Sequence, residues 1–100
     1  MKKPKSNIAR NAVELAEILN LPPSFALEME VRHSLNKKII EVIKKKGLTH
    51  AQVAKLAGTS RTRITALMNY NCDDISIELM LRVLYSLGLQ AKLKFTNKAA

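Results

Sequence analysis

Apolar residues recur at helical spacing along most of the chain, and the runs are broken by proline, glycine and small polar residues. Ala12, Val13, Leu15, Ala16, Ile18 and Leu19 predict a short first helix that stops before Pro22 and Pro23. Leu27, Val31, Leu35, Ile39 and Val42 then follow at three- and four-residue steps, with Ile43 beside them, and predict a long helix through Lys46. The proline pair can open that helix, with Ser24 as its cap and Glu28 near the positive end of its dipole, and Gly47 closes it in a left-handed conformation. The next stretch, LTHAQVAKLAGTSRTRITALMNY, predicts two much shorter helices. Thr49 caps the first, whose apolar side is Val53, Ala54 and Leu56, and Gly58 ends it. Ser60 caps the second, which turns Ile64, Leu67 and Met68 inward. Residues 69–74, NYNCDD, form a polar loop, after which Ser76 caps a helix with Glu78 in its first turn, Leu79, Leu81, Val83, Leu84 and Leu87 inside, and Gly88 at its close. Last, Leu89, Ala91, Leu93 and Phe95 alternate strictly with Gln90, Lys92, Lys94 and Thr96, a strand pattern. A lone strand leaves its backbone groups unpaired, and no other segment alternates in this way. The natural partner is the same strand of a second copy, which would make these four residues the dimerisation element; the alternatives are that the strand folds back on its own N-terminal segment or is an edge left for another protein to extend, with the N-terminal helices as the other dimer contact.

Length and composition narrow the class. One hundred residues, 47% hydrophobic but only 4% aromatic, fit one small aliphatic domain, read as a basic arm over 1–10, a domain over 11–96 and a tail over 97–100. The single cysteine, Cys72, excludes an intrachain disulfide and leaves no CxxC pair for zinc, so neither a metal nor a cofactor is expected. No signal-peptide-like run follows MKKPKSNIAR and no segment approaches the roughly 20 apolar residues of a membrane span, which predicts a soluble, cytoplasmic protein. Catalysis is not expected: Cys72, His33 and His50 are the only candidates for nucleophile and base and share no motif, and His33 reads as a surface or capping residue.

Charge sharpens the picture more than its total of +9 suggests. Residues 11–31 hold Glu14, Glu17, Glu28 and Glu30 and no Lys or Arg, whereas residues 42–72 hold Lys44, Lys45, Lys46, Lys55, Arg61 and Arg63 and no acid. A one-signed field of this kind attracts polyanions by counterion release, which makes nucleic acid the first partner to consider. Lys44–Lys46 alone would equally be a solvated helix end facing the negative pole of the dipole.

Two short helices meeting at a steep angle need a small residue at the contact, one at ease with positive φ in the turn, and an apolar lock in the second helix. Ala54, Gly58 and Ile64 supply these in order. A plain helical hairpin uses the same residues, so the exposed face of the second helix decides. With Ile64, Leu67 and Met68 inward, that face centres on Thr62, Ala66 and Asn69, flanked by Arg63 and Thr65, and Arg61 projects from the helix start. Arginine pairs bidentately with guanine, and the methyl groups of Thr and Ala suit that of thymine.

The segments GLTHAQVAKLAGTSRTRITALMNY and SIELMLRVLYSLGLQAKLKF resemble the XRE helix-turn-helix family of Cro and lambda-repressor type, and more narrowly its HigA-type antitoxin branch, over about Ala12 to Phe95. The resemblance implies a mostly α, five-helix, lambda-repressor-like DNA-binding domain with a C-terminal strand. By position it implies that Arg61, Thr62, Arg63 and Ala66 face base edges, joined by the flanking Thr65. Thr49, His50, Ser60 and Asn69 then touch phosphates, together with Lys55 of the acid-free stretch. Many family members carry Gln where this chain has His50. Asp73 and Asp74 are expected to sit away from the duplex. The implied partners are a palindromic double-stranded operator, a second copy of the chain and a RelE- or HigB-like toxin, and the implied role is a repressor of its own toxin–antitoxin operon. The alternative is an interaction module that binds a basic partner through the acidic segment 11–31.

Overall fold

The computed structural model describes residues 17–97. The basic arm over 1–10, most of the predicted first helix and residues 98–100 of the tail lie outside them. Glu17 and Ile18 are helical, and four complete helices follow: α1 (Pro23–Lys46), α2 (His50–Ala57), α3 (Arg61–Met68) and α4 (Ile77–Ser86).

The helix ends follow local chemistry. Helix α1 begins one residue before Ser24: Pro22 occupies the cap position without a side-chain hydrogen bond, and Pro23 opens the helix. Proline has no N–H of its own to satisfy in a first turn, and the Phe25 N–H is taken by the Pro22 carbonyl at 3.0 Å. At the other end Gly47 is left-handed (φ 66°), and its N–H and that of Leu48 return to the Ile43 and Lys44 carbonyls. Thr49 forms a full capping box, its hydroxyl accepting from the Gln52 N–H at 3.1 Å while the Gln52 side chain accepts from the Thr49 N–H at 2.8 Å. Ser60 and Ser76 cap α3 and α4 by accepting from the Arg63 and Leu79 N–H groups.

One core joins all four helices. It runs from Leu35, Ile39, Val42 and Ile43 of α1 through Val53, Ala54 and Ala57 of α2 to Ile64 and Leu67 of α3, and is closed by Leu79, Met80, Val83 and Leu84 of α4. Each Ile or Leu so buried is worth about 1.5–3 kcal/mol of apolar transfer. The core stops at Leu35. Leu27 and Val31, expected inside, are exposed, and of the residues of α1 before Leu35 only Ala26 is buried. Leu56 and Leu81 are exposed as well. Ala57, one turn beyond Val53, takes the inward place on α2, and Met80 takes it on α4.

Two further expectations change. The loop after α3 is not uniformly polar: Cys72 and Ile75 are buried, and the Arg32 guanidinium of α1 donates to the carbonyls of both, at 2.8 Å to Cys72. Residues 89–97 carry no strand, and the described chain has none, so neither the expected C-terminal strand nor five complete helices are present among the described residues. Alternation reports an apolar side, whereas a strand also needs a neighbour to receive its hydrogen bonds, and the described chain supplies none. Leu89 packs against the core, but Ala91, Leu93 and Phe95 are exposed, the last two at 83% and 87%.

Candidate nucleic-acid interface

The unit that presents the basic face is built by α2, α3 and the turn between them. Ala54 is buried at their contact, Ile64 is fully buried beneath it, and Gly58 sits between at φ 69°. A Cβ at Gly58 would meet nothing within 4 Å, so the turn needs glycine for its dihedral angles and not for space. The Gly58 N–H returns to Ala54 and Lys55, and the Thr59 N–H to Ala54, which closes α2 before α3 starts.

With Ile64 and Leu67 inside, the first turn of α3 carries Arg61, Thr62 and Arg63 into solvent together. The ion pairs of the described residues are Glu28–Arg32, Lys38–Glu41 and Glu78–Arg82, so Arg61, Arg63 and Lys55 have no carboxylate partner among those residues. Thr49 and Ser60 stand exposed at the N-termini of α2 and α3. Each oxygen is used as a cap acceptor, which leaves the hydroxyl proton available to an anion at the positive end of its helix. Asn69 is exposed where α3 ends, and Asp73 and Asp74 are exposed in the loop beyond it.

The other residues of the expected face are less free. Ala66 is half-buried and packs against the core; its carbonyl takes the Asn71 N–H at 2.8 Å, which brings the following loop over that end of α3. Thr65 and His50 are half-buried too, and they meet: the His50 Nδ1 lies 2.8 Å from the Thr65 Oγ1, bridging the start of α2 to the middle of α3. His50 and Arg61 also line one open depression of about 600 Å³ with Leu48, Thr49 and Ala51.

Two residues that hold this face in place escaped the sequence reading. Asn36 is fully buried and donates its Nδ2 hydrogen at 2.7 Å to the Leu67 carbonyl in the last turn of α3, which the Tyr70 N–H also reaches at 3.1 Å, while its Oδ1 has no partner among the described residues. Arg32 pins the loop after α3 in the same way. The available signal was a polar residue at a core position: Asn36 lies one turn before Ile39 and Ile40.

Two short helices locked across a left-handed glycine, neither holding an acid and the second turning two arginines to solvent, define a helix-turn-helix unit of the DNA-binding class, although Asp74 and Glu78 line one depression with Arg63. The chain belongs to the helix-turn-helix domain family, which it matches over residues 18–96. No curated protein and no solved structure matches it. No described helix is long and apolar enough to cross a membrane.

Proposed function

We propose that this chain is a sequence-specific transcriptional repressor of the XRE type, and the antitoxin of a HigA-like pair that represses its own operon. The observation that carries the DNA-reading part is the first turn of α3, where Arg61, Thr62 and Arg63 are exposed together on a helix pair free of acids. Arg61, Thr62 and Arg63 read base edges, with Thr65 and Ala66 behind them. Thr49, His50, Lys55, Ser60 and Asn69 hold the phosphates on either side. The active species is a homodimer on a palindromic operator. Leu89, Ala91, Leu93 and Phe95 supply the contact, because pairing that segment with its own copy would cover the exposed Leu93 and Phe95 and place two α3 helices in successive major grooves about 34 Å apart.

The antitoxin part rests on the resemblance and on a second surface. Leu27 and Val31 are exposed on α1 beside Glu28 and Glu30, an apolar and acidic face suited to a basic RelE- or HigB-like toxin.

A gel shift against the DNA upstream of the gene tests the reading. Replacing Arg61 and Arg63 together by alanine is expected to abolish the specific shift, each bidentate guanine contact being worth about 1–3 kcal/mol, while the melting temperature barely moves. A double variant that binds with undiminished affinity removes the assignment. Truncation after Gly88 should convert a dimer to a monomer by solution mass; a truncated dimer would move the contact elsewhere.

A further inference from the structure

We infer that His50 is a positioning residue that fixes the hydrogen-bonding direction of Thr65, and through it the base preferred at one position of the DNA site. The inference rests on the DNA-reading proposal and goes beyond it by making one base contact depend on a residue of the other helix.

A threonine within a helix divides between two χ1 rotamers, because its hydroxyl can turn back to the carbonyl one turn earlier. It also has one proton and two lone pairs, and so suits either donor or acceptor base edges. Left alone, Thr65 would be a poor discriminator. In the structure its Oγ1 is held at 2.8 Å from the His50 Nδ1, fifteen residues away across the turn. That bond selects one rotamer and also divides the chemistry. When Nδ1 carries the proton and donates, the Thr65 hydroxyl keeps its own proton for an acceptor such as guanine O6 or thymine O4. When Nδ1 accepts, the threonine proton is consumed, and only lone pairs remain for an amino group of adenine or cytosine.

The surroundings fit this role. Both side chains are half-buried, close enough to the core to be oriented and open enough to be reached. His50 and Arg61 line one open depression, so the residue bonded to Thr65 opens on the same face as the arginine at the start of α3. Thr49 and Gln52 spend their side chains on the capping box, which leaves His50 as the residue of the first turn of α2 bonded to α3.

The experiment selects bound duplexes from a randomised pool with four full-length proteins: wild type, His50→Ala, Thr65→Val and the double variant. Binding is measured well below each melting temperature, and unchanged circular dichroism shows that each protein is folded. Wild type should show a preference at one base pair that falls roughly two- to tenfold in either single variant, the range of one net hydrogen bond, and falls no further in the double variant. Preferences elsewhere in the site should persist. A His50→Ala protein that binds every duplex more weakly but keeps the wild-type preference would make His50 a phosphate contact alone and overturn the inference. Additive losses in the double variant would also overturn it. If wild type itself selects no sequence, the DNA-reading proposal falls first and this one with it, whereas a wild-type motif left unchanged in the variants removes only this one.

Discussion

The two ends of α1 belong to one unbroken helix, yet they behave as different materials. From Leu35 onward the helix buries Leu35, Asn36, Ile39, Ile40, Val42 and Ile43, carries Lys44, Lys45 and Lys46 in its last turn, and is tied to α3 through Asn36. Between Pro23 and Ser34 it buries Ala26, leaves Phe25, Leu27 and Val31 exposed, and carries Glu28 and Glu30. Apolar spacing is similar in both, so spacing alone does not decide burial. What decides it is whether other elements reach that face of the helix: the loop after α3 meets α1 at Arg32, and before it only Ala26 is buried. The packed end is scaffold for the DNA-facing unit. The other end is apolar surface of opposite charge, which is why the two proposed partners, DNA and a basic protein, need not compete for it.

The largest effect that would sharpen this contrast comes from truncating matched aliphatic residues. Ile39→Ala removes a side chain with no solvent exposure and is expected to cost about 2–5 kcal/mol in urea denaturation. Val31→Ala, at 46% exposure, should stay within about 0.5 kcal/mol. A Val31→Ala cost close to that of Ile39→Ala would break the comparison, since that face would then be covered in solution. A midpoint that moves with protein concentration would identify a second copy as the cover.

A smaller effect is expected at the link between the packed end of α1 and the DNA-facing helix. Asn36→Ala removes the side-chain donor to the Leu67 carbonyl and leaves a cavity inside the core, while the Tyr70 N–H still reaches that carbonyl at 3.1 Å, and this should cost about 1–3 kcal/mol in the same measurement. Because Leu67 lies in the last turn of α3, operator affinity should fall in the folded variant as well. A variant as stable as wild type would mean that the Tyr70 N–H alone suffices for the carbonyl and that Asn36 does not anchor α3.

Much of this architecture was legible in the residues. Ala54, Gly58 and Ile64 announced the two-helix unit because each is demanded by local geometry, and Thr49, Ser60 and Ser76 announced helix starts because a hydroxyl there satisfies N–H groups within the same turn. What escaped depends on distant parts of the chain. The exposure of Leu27 and Val31 reflects missing neighbours. Cys72 is buried in the core formed by distant helices, and Arg32, forty residues earlier, donates to its carbonyl. The polar NYNCDD run marked where α3 ends, but Tyr70 there adopts a left-handed conformation (φ 58°) usually marked by glycine, which carried no signal. The alternation over residues 89–96 predicted a strand that does not form, because alternation cannot supply the neighbour a strand pairs with. The contact of His50 with Thr65 exists only once the turn has folded.

The smallest effect on stability, and the finest test of the contrast, lies in the charges. Lys44, Lys45 and Lys46 are exposed, and the carbonyls of Ile43 and Lys44 at that end are already satisfied by the N–H groups of Gly47 and Leu48, so little beyond the dipole interaction ties the three side chains to the fold. Replacing all three by glutamine should therefore shift the unfolding free energy by at most about 1 kcal/mol at low salt, and by less as salt is added. Their effect on binding follows a different rule. Each lysine that displaces a counterion from DNA adds about one unit to the slope of log affinity against log salt, and this contribution is independent of sequence. The triple variant should lose up to about three units of slope while keeping its base preferences. Glu28 and Glu30, replaced by glutamine as the control at the other end of α1, should leave the slope unchanged. Equal slopes in wild type and the lysine variant would make Lys44–Lys46 a solvated helix end, and the two ends of α1 would then differ in packing but not in what they do for DNA.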